Sequence, residues 1–282
     1  MDLTAKKSLG QHFLTSKHVL EQIIAASNIK KDELILEIGP GTGILTRRLL
    51  ESGAKVLAIE KDSRAIELLK QEFANECQSG QLSIIEGDIL DDSTVNLTSG
   101  DYAIVANIPY YITGAILEKF LEHEPRPNRM ILLVQKEVAD RITAKNSPSG
   151  AELGENGKES ILSISVKAFG TPNMVARVSK GAFSPPPTVD SAILSIENIS
   201  DIHFKENNVK IPRFFHILKA GFAHKRKYAL NNILEKFNNE EDRSAIRKMW
   251  IDLQLDIKIR AEKISISDWF RITERISVIV PN

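Results

Sequence analysis

Over the first two-thirds of the chain, short apolar runs alternate with stretches in which apolar residues recur three and four positions apart. This is the pattern of strands alternating with helices that pack one face on a sheet. Strands are predicted at Leu34–Ile38, Lys55–Glu60, Leu82–Glu86, 102–106 and 130–134, with helices at 45–50, 65–73 and 115–121 and a leading helix over 18–26. Such alternation builds a parallel sheet from βα units. Two later strands, 173–178 and 189–196, would complete it. After Arg141 the pattern breaks at residues 146–157, a polar stretch with Pro148 and three glycines that reads as an exposed loop.

From about residue 200 the strand signal disappears. Helical periodicity takes over at 213–222, 229–237, 244–250 and 267–275, joined to the first part by the short polar connection 198–208. The expectation is an α/β domain over 1–199 followed by a small all-helical domain over 200–282, as the length of 282 residues allows.

Charge sharpens this division. The whole chain has formal net charge +0, from 37 Lys+Arg and 37 Asp+Glu. Residues 1–199 hold 21 basic and 26 acidic residues, a balance of −5, whereas 200–282 hold 16 and 11, a balance of +5. The helical part is therefore the one suited to a polyanion, and Lys225, Arg226 and Lys227 are its densest basic run.

A hydrophobic share of 42% and a charged share of 26% fit a packed globular protein. No apolar run approaches the roughly 18 residues that span a bilayer, and Lys6 and Lys7 are not followed by an apolar signal region. A cytoplasmic protein without a membrane partner is expected. Cys77 is the only cysteine, which excludes an internal disulfide and a thiolate cluster, and the six histidines show no ligand spacing, so no metal is expected.

The strongest local signal is Glu37-Ile38-Gly39-Pro40-Gly41-Thr42-Gly43, between a predicted strand and a predicted helix. Glycines there let the backbone turn tightly and approach a ligand. A dinucleotide fingerprint would need its third glycine at position 44, which is Ile44. The spacing instead matches the E-x-G-x-G-x-G loop of S-adenosylmethionine-dependent methyltransferases. Glu60 ends the second strand, where a carboxylate can accept ribose hydroxyls, and Asp88 follows the third, where it can accept from an adenine amine. Taken singly, each carboxylate is equally an ordinary surface residue. Three such features at the carboxyl ends of three successive strands mark the edge where open α/β sheets bind ligands.

Asn107-Ile108-Pro109-Tyr110 follows the fourth strand on the same rim. An exocyclic amine has its lone pair delocalised into the ring, so acceptors on its hydrogens draw the nitrogen toward a nucleophilic geometry. The Asn107 side-chain carbonyl and the Ile108 backbone carbonyl are the candidate acceptors. Tyr110 offers a face for an unstacked base, and Pro109 stiffens the turn. A second element, Phe183-Ser184-Pro185-Pro186-Pro187, is a rigid loop. It either holds Phe183 over the other face of the base or is a plain connection with a buried Phe.

Together these segments, with Gly10-Gln11-His12-Phe13-Leu14, the run 135–141 and the basic run near 225, resemble the KsgA family of small-subunit ribosomal RNA adenine dimethyltransferases over nearly the whole chain. The related family that methylates large-subunit rRNA shares most of them, and Arg260-Ala261-Glu262-Lys263-Ile264-Ser265 resembles the helical domain of the former. Lys158-Glu159-Ser160-Ile161-Leu162-Ser163 stands where the KsgA family usually has a Tyr-Gly-Arg-Leu-Ser-like stretch. The resemblance implies a Rossmann-like fold and S-adenosylmethionine as cofactor. It implies that His12, Leu14, Gly39, Gly41, Gly43, Glu60, Asp88 and Asn107 contact that cofactor, while Asn107, Tyr110 and Phe183 frame the adenine. The implied partner is small-subunit rRNA in the assembling small ribosomal subunit, bound by a monomer. The implied reaction dimethylates two adjacent adenines in a hairpin near the rRNA 3′ end. Against it stand a non-catalytic RNA-binding or assembly factor, which has no need of an amine-polarising Asn, and a nicotinamide-dependent oxidoreductase, which Ile44 disfavours.

Overall fold

The computed structural model describes residues 4–6, 9–95, 97, 101–144 and 158–281. The 146–157 stretch read as a loop lies outside the described residues, as does Lys7. In chain order the elements of the first part are β1 (Phe13–Leu14), α1 (Lys17–Ser27), β2 (Leu34–Ile38), α2 (Ile44–Glu51), β3 (Lys55–Glu60), α3 (Ser63–Glu72), α4 (Ala74–Ser79), β4 (Leu82–Glu86), β5 (Tyr102–Asn107), α5 (Thr113–Glu122), β6 (Arg129–Gln135) and α6 (Lys136–Thr143). There follow α7 (Ile161–Phe169), β7 (Thr171–Val178), β8 (Phe183–Ser184), β9 (Ser191–Glu197), α8 (Ile202–Glu206), α9 (Ile211–Gly221), α10 (Ala229–Leu234), α11 (Glu240–Asp252) and α12 (Ile266–Ile279).

Seven strands form one sheet in the order β4-β3-β2-β5-β6-β9-β7. The pairs β4–β3, β3–β2, β2–β5 and β5–β6 are parallel, whereas β9 runs antiparallel to both β6 and β7. The chain builds outward from β2 through β3 to β4, then returns to place β5 on the other side of β2. The strand order therefore reverses between β2 and β5, which opens a crevice at their carboxyl ends. The central strands β5 and β6 are apolar between their ends, as strands covered on both faces are: Tyr102 to Ala106 and Met130 to Val134 are all buried. A separate two-stranded pairing joins β1 to β8, with Phe13 opposite Ser184 and Leu14 opposite Phe183.

The chain divides into two compact units, Met1–Asp140 with Gly170–Ile199, and Arg141–Phe169 with Ser200–Asn282. The second unit thus takes back residues 141–169, which lie within the 1–199 stretch assigned to the α/β part by pattern. The reason is aromatic packing: Phe169 at the end of α7 lies 4.8 Å from Phe204 and 6.1 Å from Phe215, ring centre to ring centre. Phe214 and Phe270 complete the cluster, and Trp250 and Trp269 are fully buried in the same unit. Phe204 also explains why α8 forms in what reads as a polar connection, since its ring is buried while Ile202 beside it stays exposed. Among the described residues no helix is long and apolar enough to cross a membrane.

Candidate active site

The chain leaves β2 at Ile38 and turns through Gly39, Gly41 and Gly43, whose φ angles are 68°, 56° and 79°. These left-handed conformations are costly for other residues. At Gly41 a Cβ would in addition press on the Phe13 ring at 3.0 Å. Gly39 and Gly41 line an open cavity of about 200 Å³ at the carboxyl ends of β2, β3 and β5, more than ten times the roughly 10–15 Å³ one water needs on that measure. Gly43 is placed differently. It caps α2, does not line the cavity, and a Cβ there would come within 2.7 Å of Leu69 and Phe73. Its bareness serves helix packing.

Glu60 closes β3, is 6% exposed and lines the cavity. Its Oε1 accepts from the backbone N–H groups of Lys61 and Asp62, both at 2.8 Å, and its Oε2 accepts from Gly41 at 3.1 Å. A carboxylate has about four acceptor positions, so one remains open on Oε2. The glycine turn and β3 are thereby locked together by the same group that faces the crevice. Asp88, after β4, accepts from Lys61 Nζ at 2.8 Å and from the Leu90 N–H at 3.0 Å. The Lys61 ammonium, with that backbone donor, holds the Asp88 carboxyl below its usual range.

Glu37 was read only as part of the loop motif, and the structure gives it more weight. It is 1% exposed, and neither carboxylate oxygen has a hydrogen-bond partner among the described residues. Burial pushes its pKa up to about 8, with the nearby Glu60 carboxylate adding to the rise. Thr46 lies close and offsets part of this, but outside hydrogen-bond geometry. Glu37 lines a second cavity of about 20 Å³ with Gly39, Gly41 and Asn107, room for a single water or an ammonium group. An orphaned buried carboxyl is costly, and a cationic group arriving there would remove the cost.

Asn107 ends β5 beside the switch point. Its Nδ2 donates to the His12 backbone carbonyl at 3.1 Å. A carbonyl can only accept, so this contact fixes which end of the amide is nitrogen and leaves Oδ1 with no partner among the described residues. The Ile108 carbonyl likewise receives no donor among them. Pro109, with φ −59° and ψ 130°, leads into a 3-10 turn over Tyr110–Ile112. The Tyr110 hydroxyl bonds Ser191 Oγ at 2.5 Å, and its ring lies nearly parallel to that of His12, 6.1 Å between centres and 22° between planes. His12 in turn donates from Nδ1 to the Pro185 carbonyl at 2.8 Å. His12, Asn107, Ile108, Pro109 and Tyr110 all line the main cavity, with Glu60 and Asp88.

Besides Gly43, two expected residues lie outside the main cavity. Phe183 is 4% exposed and packs in the apolar core, because the β1–β8 register sets it opposite Leu14. The buried-Phe alternative is the one the structure shows. Leu14 is 3% exposed and borders only the small cavity beside Glu37. Conversely, Gln11, Lys61, Ile89, Leu90 and Tyr111 line the main cavity without having been singled out. Lys61 and Ile89 are the residues just after Glu60 and Asp88, a position signal that sequence does offer; the exposed Tyr111 offers none.

In the second unit, Lys225, Arg226 and Lys227 lie exposed in the turn between α9 and α10. They are not equivalent. Lys227 pairs with Glu235 at 2.6 Å, as His224 does at 3.2 Å, whereas no acidic partner reaches Lys225 or Arg226 among the described residues.

The acceptors on this rim suit a nucleoside, and the one beside the switch point suits an amine that must become nucleophilic. Fold and site together define a Rossmann-like, S-adenosylmethionine-dependent methyltransferase. The model of the ribosomal RNA adenine dimethylase family matches residues 2–277, and the chain belongs to that family. Ribosomal RNA small subunit methyltransferase A of Thermosynechococcus vestitus is 38% identical over 286 residues, covering 99% of this chain and 100% of that protein. The protein of the same name from Dehalococcoides mccartyi (strain CBDB1) is 36% identical over 280 residues, covering 96% of this chain and 88% of its own. The crystal structure of a dimethyladenosine transferase from Plasmodium falciparum aligns with TM-score 0.76 at 27% identity, covering 93% of this chain and 96% of that one.

Proposed function

We propose that this enzyme dimethylates the N6 amines of two adjacent adenosines in a hairpin near the 3′ end of small-subunit rRNA, acting as a cytoplasmic monomer on the assembling small subunit. The observation that carries the chemistry is the Asn107 amide: with Nδ2 committed to His12, its Oδ1 is left for a hydrogen of the adenine amine. The Ile108 carbonyl takes the other hydrogen. Tyr110, its hydroxyl held by Ser191 and its ring backed by His12, is the platform on which the extruded base stacks. Phe183, buried in the core, has no part in this reading.

The cofactor supplies an activated methyl group when bound. The residues present fit it: Glu60 keeps one acceptor position for a ribose hydroxyl, and Asp88 accepts from the adenine amine once it shares its bond to Lys61. The Glu37 carboxyl, unpaired among the described residues, would receive the methionine ammonium. The protein's own work is then alignment, exclusion of water and polarisation of the target amine. After the first transfer the amine keeps one hydrogen, so the same acceptors serve a second. Lys225 and Arg226 contact rRNA phosphates.

The test is methyl transfer from labelled S-adenosylmethionine to under-methylated small subunits, large subunits and naked small-subunit rRNA, with the modified adenosines mapped. The reading expects label in two neighbouring adenosines of the small subunit. Label confined to large subunits would contradict it.

A further inference from the structure

Asp62 is not a cavity residue, yet its side chain is fully buried and carries more bonds than a helix cap needs. It caps α3 by accepting from the Arg64 N–H at 3.3 Å, a task for one oxygen lone pair. The carboxylate also accepts from Arg64 Nε at 3.0 Å and Nη2 at 2.6 Å. From far upstream it accepts from Gln11 Nε2 at 3.2 Å and Lys6 Nζ at 3.4 Å. Gln11 Oε1 in turn accepts from the Lys6 N–H at 2.8 Å, and Arg64 Nη2 donates to the Thr4 carbonyl at 3.3 Å. The contacts of Gln11, Lys6 and Thr4 with Asp62 and Arg64 tie the chain before β1 to the exit of β3.

What lies between the ties makes them matter. Residues 9–13 line the cofactor cavity. Their far end is held by Asn107 on the His12 carbonyl, by the His12 ring on Pro185 and by the β1–β8 pairing. Their near end is held by Asp62, whose own N–H donates to Glu60 Oε1. The segment therefore runs along the cavity from the ribose-facing end of β3 to the amine-facing end of β5, and Asp62 is its fastening at the first of these.

We propose that Asp62 is a positioning residue that straps residues 9–13 over the cofactor through Gln11 and Lys6, so that the strength of this fastening sets how fast the cofactor enters and leaves. The proposal rests on the reading of the cavity as the S-adenosylmethionine site. When the strap opens, the Asp62 carboxylate regains water in exchange for Gln11 and Lys6, while Arg64 stays with it on α3. The fastening is thus reversible without unfolding α3, as a group that must admit and release a ligand at each turnover requires.

The variants Gln11→Leu and Lys6→Ala break the strap from its own side and leave the α3 cap intact; Asp62→Asn breaks it from the other. Dissociation of labelled S-adenosylmethionine is followed after adding excess unlabelled cofactor, alongside amide hydrogen exchange at residues 11–13. Loss of a hydrogen bond to a charged group predicts roughly tenfold faster dissociation in Gln11→Leu, faster association with it, and faster exchange at residues 11–13. The double variant Gln11→Leu/Asp62→Asn should release cofactor no faster than the faster single variant, since both remove one contact. Dissociation and exchange within twofold of wild type in Gln11→Leu would overturn the proposal, as would a double variant whose effect is the product of the singles. Failure of the wild-type protein to bind S-adenosylmethionine at all would instead refute the cavity reading and take the strap with it.

Discussion

Asn107 and His12 stand 95 positions apart and meet through one hydrogen bond, Asn107 Nδ2 to the His12 carbonyl at 3.1 Å. That bond ties the segment before β1 to the end of β5 and orients the amide so that its carbonyl is the free end. The same His12 backs the Tyr110 ring and reaches Pro185. The Asn107 amide, the Tyr110 ring and the segment before β1 are thereby fixed by a single residue, so their geometry is set before any ligand arrives.

Glu60 locks the glycine turn to β3 and, in the proposed function, also accepts from the cofactor ribose. Glu60→Gln replaces a carboxylate oxygen by a donor that would face one of the three backbone N–H groups it now accepts from. Cofactor affinity should fall by roughly 1.5–3 kcal/mol, with a lowered melting temperature as the glycine turn loosens. Calorimetric titration showing unchanged affinity would remove Glu60 from the ribose.

Glu37 couples the stability of the fold to pH. Its pKa is raised from 4.5 to about 8 in the folded protein, because burial disfavours the charged form. The folded state therefore holds this proton more tightly than the unfolded one. The stability it contributes is fully present below about 4.5 and is lost as pH rises toward about 8. Glu37→Gln should flatten the fall in melting temperature over that window. In the wild type, docking of the ammonium ionises Glu37, so cofactor binding near pH 7 should release a proton and its enthalpy should depend on the buffer. An enthalpy independent of buffer would contradict this.

Tyr110 separates ring from hydroxyl. Tyr110→Phe keeps the platform and loses only the bond to Ser191, whereas Tyr110→Ala loses the platform. The alanine variant should bind RNA substrate more weakly by roughly 1–3 kcal/mol, and the phenylalanine variant by far less. Equal losses in substrate titrations would assign Tyr110 to the fold rather than to the base.

Lys225 and Arg226 should matter more than Lys227, whose charge Glu235 already answers. Lys225→Gln with Arg226→Gln should lower the slope of log affinity against log salt by about 1–2, since each cation lost at a phosphate releases fewer counterions. Lys227→Gln should change it less. Cofactor affinity should stay constant in all three; an unaltered salt slope in the double variant would leave this turn solvated only.

The sheet was legible because its central strands are buried on both faces and read as near-continuous apolar runs, and Leu34–Ile38, Lys55–Glu60 and Leu82–Glu86 form with the bounds the pattern predicts. The cofactor rim was legible because strand ends are fixed once strands are. The β1–β8 pairing was not, since two-residue strands some 170 positions apart leave no periodicity, and with it went the burial of Phe183. Gly43 fits the motif spacing but is bare for Leu69 and Phe73, a contact no local pattern records. The return of 141–169 to the second unit depends on where Phe169 finds its ring partners. Asp62 was not singled out in the sequence, because Gln11 and Lys6 reach it from 51 and 56 positions away.

If Asn107 draws the adenine amine into reactivity, the rate of single-turnover methyl transfer at saturating S-adenosylmethionine on under-methylated small subunits must depend on it. The wild-type enzyme should yield N6,N6-dimethyladenosine, and Asn107→Ala should slow the transfer by roughly 10²–10³-fold, as loss of an oriented polar group at a reacting centre does. Undiminished transfer by Asn107→Ala, or a product that stops at monomethyladenosine with the wild type, would contradict the account.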